Sequence, residues 1–462
     1  MCASARCWCS NIFARLPQIK AQAPMLKPAD FTRRRKQLMR LTGEGSITLV
    51  PAAVVRVRNN DVYYPFRQDS DFQYLTGFPE PDALLALVPG RKAAQAILFC
   101  REAEHERALY DGLNVGPEAA VERFGFDDAF PIDDIDDILP GLMEGRERLF
   151  YQVGRDEKFD LQVMAWLNRA RSQVRTGARA APTEFVALSH HLSELRLLKT
   201  PAEIRLMREA ATITARAHAA AITQVRPGLT EAHIHGELLR TMVSAGAEPS
   251  YEAIVAGGRN ACLLHYRGNR DALKSGELLL IDAGAEVAGY AADVTRTVPI
   301  SGKFTPEQRA LYDIVLDAQL AAIDCARAGA SWIDPHLAAV QAITAGLVDI
   351  GLLKGTVKKN LADEGYKRFF PHKTGHWLGL DVHDVGDYKI NEHWRVLEPG
   401  MVMTVEPGIY IPWGASGVPK AFWGCGVRIE DDVLVTAAEP DILSKMLTRD
   451  PREIERMVGS AQ

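Results

Sequence analysis

Five residues in the C-terminal half, Asp282, Asp293, His376, Glu406 and Glu430, lie in separate short stretches that read as strands or strand edges. The stretches are GELLLIDAGAEVAGYAADVTRT, HKTGHWLGLDVHD, GMVMTVEPGIY and GCGVRIEDD. Taken singly, each carboxylate is more often a solvated or salt-bridged residue than a ligand. Asp282, however, ends an otherwise apolar strand, where a carboxylate without a partner is costly. Four carboxylates and one imidazole in such a setting call for cations. Two divalent ions would balance the four negative charges, and a dinuclear site points to hydrolysis.

The local patterns say how these side chains are presented. Leu278–Ala283 reads as one strand and Tyr290–Pro299 as another, so Asp282 and Asp293 sit on two arms of a hairpin and can share an ion. In VMTVEPG, alternation puts Val402, Thr404 and Glu406 on one face. In GVRIEDD, Arg428 faces the same way as Glu430 and would hold a carboxylate in orientation. Gly375 and Gly379 argue against a helix presenting His372, His376 and His383 on one side.

The rest of the chain must position these pieces. At 462 residues it predicts two domains. Its 47% hydrophobic and 24% charged content is ordinary for a soluble globular protein. A net charge of −5 leaves no electrostatic footprint for nucleic acid, and no apolar run approaches a membrane span. Seven cysteines without zinc-ligand spacing fit a reducing compartment, so a cytoplasmic location is expected. Residues 1–24 hold no Asp or Glu and read as a start-site extension or as a transit-type presequence, which leaves organelle targeting open.

Residues 25–197 are expected to form an α/β N-terminal domain, opened by the basic helix FTRRRKQLMR and followed by strands in SITLVPAAVV, ALLALVPG and QAILFC. In PIDDIDDILPGL, Ile132, Ile135 and Ile138 recur every three residues, which favours a helix with a solvated acidic face over a calcium loop. Thr200, Pro201 and Glu203 form a capping box that starts a long helix running to about Val225. Residues 198–462 then read as an α+β domain with helices over a curved antiparallel sheet.

These segments resemble the signature stretches of the pita-bread metallopeptidases, the superfamily of aminopeptidase P, prolidase and methionine aminopeptidase. IVAGGRNACLLHYRGN, GHWLGLDVHDVG, TVEPGIYI and VRIEDD are most similar to bacterial-type aminopeptidase P, and RNNDVYYPFRQDSDFQYLTGFPEPDALL extends the likeness into the first domain. The resemblance covers about Phe31 to Val435. It implies that Asp282, Asp293, His376, Glu406 and Glu430 bind two divalent ions, usually Mn2+, with Asp293 and Glu430 bridging. It implies a water activated by the ions, Glu406 as its proton acceptor, and His265, His372 and His383 around the substrate. Asp61, Tyr110 and Tyr410 are further expected to approach the substrate, and a homo-oligomer (dimer or tetramer) is expected.

The implied substrates are peptides with proline at the second position, whose missing N–H and altered geometry defeat ordinary exopeptidases. The alternatives are a prolidase limited to dipeptides and a non-catalytic pita-bread binding protein. The intact five-residue set weighs against the latter and against creatinase-like enzymes. Methionine aminopeptidases need no first domain of this size. Lys373 replaces a residue that is usually small in the family, and the DYKINEHWRVL stretch departs from the family spacing, with Arg395 as its candidate base.

Overall fold

The computed structural model describes residues 26–103, 112, 114–174 and 179–460. The segment 1–24 and Tyr110 lie outside them. Two compact units divide the described chain, one ending at Arg196 and the other beginning at Leu197.

The N-terminal unit is a six-stranded mixed sheet in the order Asp128–Pro131, Ala96–Cys100, Leu84–Leu87, Ser46–Pro51, Arg148–Tyr151, Glu184–Ala187. Ile47, Leu49, Leu84 and Phe99 pack with Leu139, Val163 and Trp166 of helices Ile135–Met143 and Glu157–Gln173. Ile132, Ile135 and Ile138 lie against this core, as a helical reading of the acidic run requires. The basic helix Pro28–Thr42 turns two of its arginines inward. Arg34 Nη1 donates to the Tyr74 carbonyl (2.9 Å) and Arg35 Nη1 to that of Leu75 (2.9 Å). Both carbonyls belong to the last turn of helix Ser70–Thr76, where cations are favoured.

In the C-terminal unit, Thr200 caps helix Pro201–Gln224 and Glu203 completes the capping box. Helices Glu231–Ser244, Pro306–Cys325 and Asp334–Asp349 follow. The strands form short antiparallel ladders: Ile254–Gly257 with Leu278–Ala283 and Val294–Pro299, Val402–Val405 with Asp431–Leu434, and Gly408–Ile411 with Cys425–Arg428. Among the described residues no helix is long and apolar enough to cross a membrane.

One expected strand is broken. Tyr290–Ala291 pairs with Ala285–Val287, whereas Val294–Pro299 pairs with Leu278–Ala283. At the break, the Asp293 N–H leaves the ladder and donates to the Asp432 carboxylate (3.1 Å). Two further breaks bracket Glu406 and Glu430. Pro407 follows Glu406 and has no N–H with which to continue a ladder.

The three acids at 430–432 have separate fates. Glu430 belongs to the candidate site, and Asp432 accepts the Asp293 N–H. Fully buried Asp431 pairs with Arg296 (2.8 Å) and accepts from Gln319 (2.9 Å) and Ser444 (2.6 Å). Removing one partner of a buried pair strands the other charge, at about 3–5 kcal/mol. Asp431→Ala should therefore lower the melting temperature by roughly 10 °C in a thermal unfolding scan.

Candidate metal centre

Asp282 is paired across the ladder with Thr295 and Ile254. The end of its strand is held by buried His218, whose Nε2–H donates to the Ala283 carbonyl (3.1 Å). Burial brings the His218 pKa down to about 4, which keeps the ring neutral. Gly284 comes next, and a Cβ there would lie 1.7 Å from the Ala292 carbonyl oxygen. Only glycine permits this crossing of the chain, which sets Asp282 and Asp293 beside each other. The Tyr251 hydroxyl lies 2.5 Å from Oδ1 of each.

The His376 stretch is no regular strand. It runs along the edge of Val402–Val405, with one bridge at Trp377 and Met403. Thr404 N–H donates to the His376 carbonyl (3.0 Å), and Glu406 N–H to that of Thr374 (2.8 Å). A Cβ on Gly375 would lie 2.0 Å from the Thr404 carbonyl oxygen, so glycine again permits the approach. The His376 Nδ1–H donates to the Trp377 carbonyl (2.9 Å), which turns Nε2 toward Asp293 (3.4 Å) and Glu406 (3.9 Å). Ligand atoms of Asp293, His376 and Glu430 all lie within 4.8 Å of one another.

Arg428 and Thr295 orient the acids. Arg428 Nη2 donates to Asp282, Nη1 to the Tyr410 hydroxyl (3.1 Å), and Nε to Thr295 Oγ1 (3.1 Å). With that oxygen already accepting, the Thr295 O–H donates to Glu430 Oε2 (2.6 Å). A lysine has one donor point where the guanidinium has a rigid fork. Arg428→Lys is expected to weaken metal affinity roughly 10–100-fold, measured by titration of metal-stripped protein.

The charge of the cluster is out of balance. Burial raises the pKa of Asp282 even beside Arg428. Burial, then Asp293 and Glu406, pushes Glu430 well above the carboxylate range. Burial lifts Glu406 to about 7. Burial also opposes ionisation of His376, but Asp293 and Glu406 outweigh it and raise the imidazole to about 9. Asp293 is held below its ordinary value, because His376 offsets its burial. Asp282, Glu406 and Glu430 are thus biased toward their protonated forms, a bias that further positive charge would reverse. An oxygen-rich donor set with one imidazole fits hard divalent cations, so these residues suit a metal site.

Around this centre, the His372 Nδ1–H donates to the Lys373 carbonyl (2.7 Å). Its Nε2 then accepts from the Tyr410 hydroxyl (2.9 Å). Burial lowers His372 to about 4. The His383 ring lies 4.2 Å from that of His376, and burial and the His376 charge lower its pKa. His265 is exposed on the loop after Gly258–Cys262, within electrostatic reach of His372 and His383. Lys373 is exposed beside His336, whose Nδ1 lies 2.8 Å from Thr374 Oγ1. Arg395 is buried and donates to the Asp387 carbonyl (3.2 Å). Asp61 lies in the exposed turn of the hairpin Val57–Tyr63 in the N-terminal unit. The sequence reading missed Tyr251, Thr295 and Asp432. No local pattern marks them, because they meet the acids only through chain crossing.

The model of metallopeptidase family M24 matches residues 205–437, and that of the aminopeptidase P N-terminal domain matches residues 31–151. The chain belongs to metallopeptidase family M24. As an M24 member it is a hydrolase, and its family works with bound divalent metal. It is 40% identical over 438 residues to the Xaa-Pro aminopeptidase of Escherichia coli K12, covering 94% of this chain and 98% of that one. The solved structure of Pseudomonas aeruginosa aminopeptidase PepP superposes with a TM-score of 0.93 at 51% identity, covering 95% of this chain and 99% of that one. Escherichia coli aminopeptidase P with the inhibitor Pro-Leu superposes with a TM-score of 0.91 at 39% identity, covering 94% and 99%. The M24 fold pairs an aminopeptidase P N-terminal domain with a pita-bread domain here, as the sequence predicts.

Proposed function

We propose that this M24 member is a dinuclear Xaa-Pro aminopeptidase, which removes the N-terminal residue of a peptide when proline follows. The observation that carries this is the gathering of Asp293, His376 and Glu430 ligand atoms within 4.8 Å of one another, with Glu406 beside His376 and Asp282 sharing Tyr251 with Asp293, in a chain similar along its length to Xaa-Pro aminopeptidases. These five residues would hold two divalent ions, and the oxygen-dominated set favours Mn2+. Bound there, the metal supplies Lewis-acid polarisation of the scissile carbonyl and lowers the pKa of water.

The protein's own groups do the rest. Glu406 takes up the proton of the attacking water and can return it to the departing proline nitrogen, which has no hydrogen of its own. Arg428 holds Asp282 while Thr295 holds Glu430, so the acids keep their orientation through turnover. Tyr410 and neutral His372 extend that network toward the substrate, and His265 and His383 line it from two other loops. Asp61 and Tyr110 are proposed as substrate contacts from the first domain.

A homo-oligomer is part of this proposal. Val57, Val62, Tyr63 and Tyr64 are all about half exposed on one short hairpin, an apolar surface suited to a second copy of the chain. Cys100, Cys262, Cys325 and Cys425 are free thiols, which supports a reducing cytoplasmic setting.

Steady-state assay with Xaa-Pro-Xaa and Xaa-Pro tests the reading. Release of the first residue from the tripeptide is expected only with metal present. Cleavage of the dipeptide alone would make the protein a prolidase. No cleavage under any metal would leave the binding-protein reading.

A further inference from the structure

We propose that Glu231 is a positioning residue for His265, acting through the loop that carries it. The proposal rests on the functional reading above, in which His265 meets the substrate. Glu231 opens helix Glu231–Ser244 and is fully buried. Its Oε1 accepts from the Gly257 N–H (2.8 Å) and Asn260 Nδ2 (2.9 Å). Its Oε2 accepts from the Tyr266 hydroxyl (2.8 Å), the Arg270 N–H (2.8 Å) and the Asp271 N–H (2.9 Å). An ionised carboxylate offers about four lone-pair sites, so five donors saturate it.

Those donors come from both ends and the middle of one loop. Past the short helical turn Gly258–Cys262, residues 263–270 have no helix or strand to fix their path. Asn260 also donates to Asp271 (2.9 Å), which ties the start of the loop to its end. His265 sits at the exposed tip, next to Tyr266. Among the described residues its ring makes no hydrogen bond, so its place is set by the backbone path. Glu231 is the group on which that path converges, and charge-assisted bonds of this kind are the strong ones.

The test is a double-mutant cycle on metal-loaded enzyme. In Glu231→Gln an amide NH2 would confront donors that now point at an acceptor. KM for Xaa-Pro-Xaa should rise about tenfold to a hundredfold, with bound metal unchanged and kcat altered less than about threefold. Glu231→Gln with His265→Ala should be no worse than His265→Ala alone, since the two act as one unit. Tyr266→Phe removes a single donor and no backbone bond; it should give a smaller rise in KM without loss of fold, and decides the matter if Glu231→Gln does not fold. Multiplicative effects in the double variants, or KM within about twofold of the parent in both folded single variants, would overturn the proposal.

Hydrogen exchange at 257–271 gives a readout independent of activity. It should quicken roughly tenfold in the folded Glu231 variant, or to a lesser degree in the Tyr266 variant. Unchanged exchange overturns the proposal even if the parent cuts no proline peptide. A parent that cuts nothing while its variants exchange faster refutes only the functional reading.

Discussion

Glu406→Gln should lower kcat on an Xaa-Pro-Xaa peptide by on the order of 10³-fold, within the range measured for general acid–base groups. The substitution keeps the shape of the side chain and one acceptor oxygen but removes the ability to take a proton. In the metal-free protein burial lifts the Glu406 carboxyl to about 7, against the opposing pull of His376 and Arg428. A carboxylate beside the attacking water can accept its proton and surrender it to the departing amine in the same cycle. The measurement is kcat at saturating metal, together with metal content and melting temperature. A kcat within tenfold of the parent would remove Glu406 from the proton path. The metal-free variant should also be more stable than the metal-free parent, since one of the crowded acids no longer ionises.

Stripping the metal should lower the melting temperature by roughly 5–10 °C at neutral pH, the loss expected when a ligand near 100 times its Kd is removed. The loss should grow as pH rises. Glu406 has a folded pKa of about 7 against 4.5 as reference, so the metal-free fold binds a proton that the unfolded chain has released between those values. The unfolded state gains over that window, and stability falls from pH 4.5 to 7. Asp282 and Glu430, also raised, act in the same direction. His376, raised from 6.5 to about 9, continues the decline between those values, because its favourable charge in the fold is lost as it deprotonates. Asp293 is lowered and opposes the trend only at acid pH, where its ionised form is lost. Bound metal replaces these protons, so the loaded protein should show a much flatter profile from pH 5 to 9, in thermal scans with and without chelator. Equal slopes in the two forms would mean that the acids do not share a metal.

The capping box at Thr200, the helix ending near Val225, the strand Leu278–Ala283 and the inward side of Arg428 were all legible in the chain. Each depends on neighbours within a few residues: a proline start, a hydrophobic period, alternation along a strand. The candidate ligands were legible because Asp282 closes an otherwise apolar strand and because all five sit in short stretches that resemble the pita-bread metallopeptidases. What was not legible is how those stretches break. Tyr290–Pro299 has the composition of one strand but serves two sheets, because the Asp293 N–H is claimed by Asp432, 139 residues away. Tyr251 and Thr295 carry no mark of their own among ordinary tyrosines and threonines. They gain a role when the fold sets one between Asp282 and Asp293 and the other between Arg428 and Glu430.

By itself, then, the sequence marked the candidate ligands and the strands or edges that bear them, because family motifs and hydrophobic alternation are both carried by short stretches of chain. The tertiary structure alone decided which acid is paired, with which partner, and which way each points. Those properties depend on hydrogen bonds and charges brought together from distant parts of the chain, and on two glycines, Gly284 and Gly375, that let backbones meet where no side chain would fit.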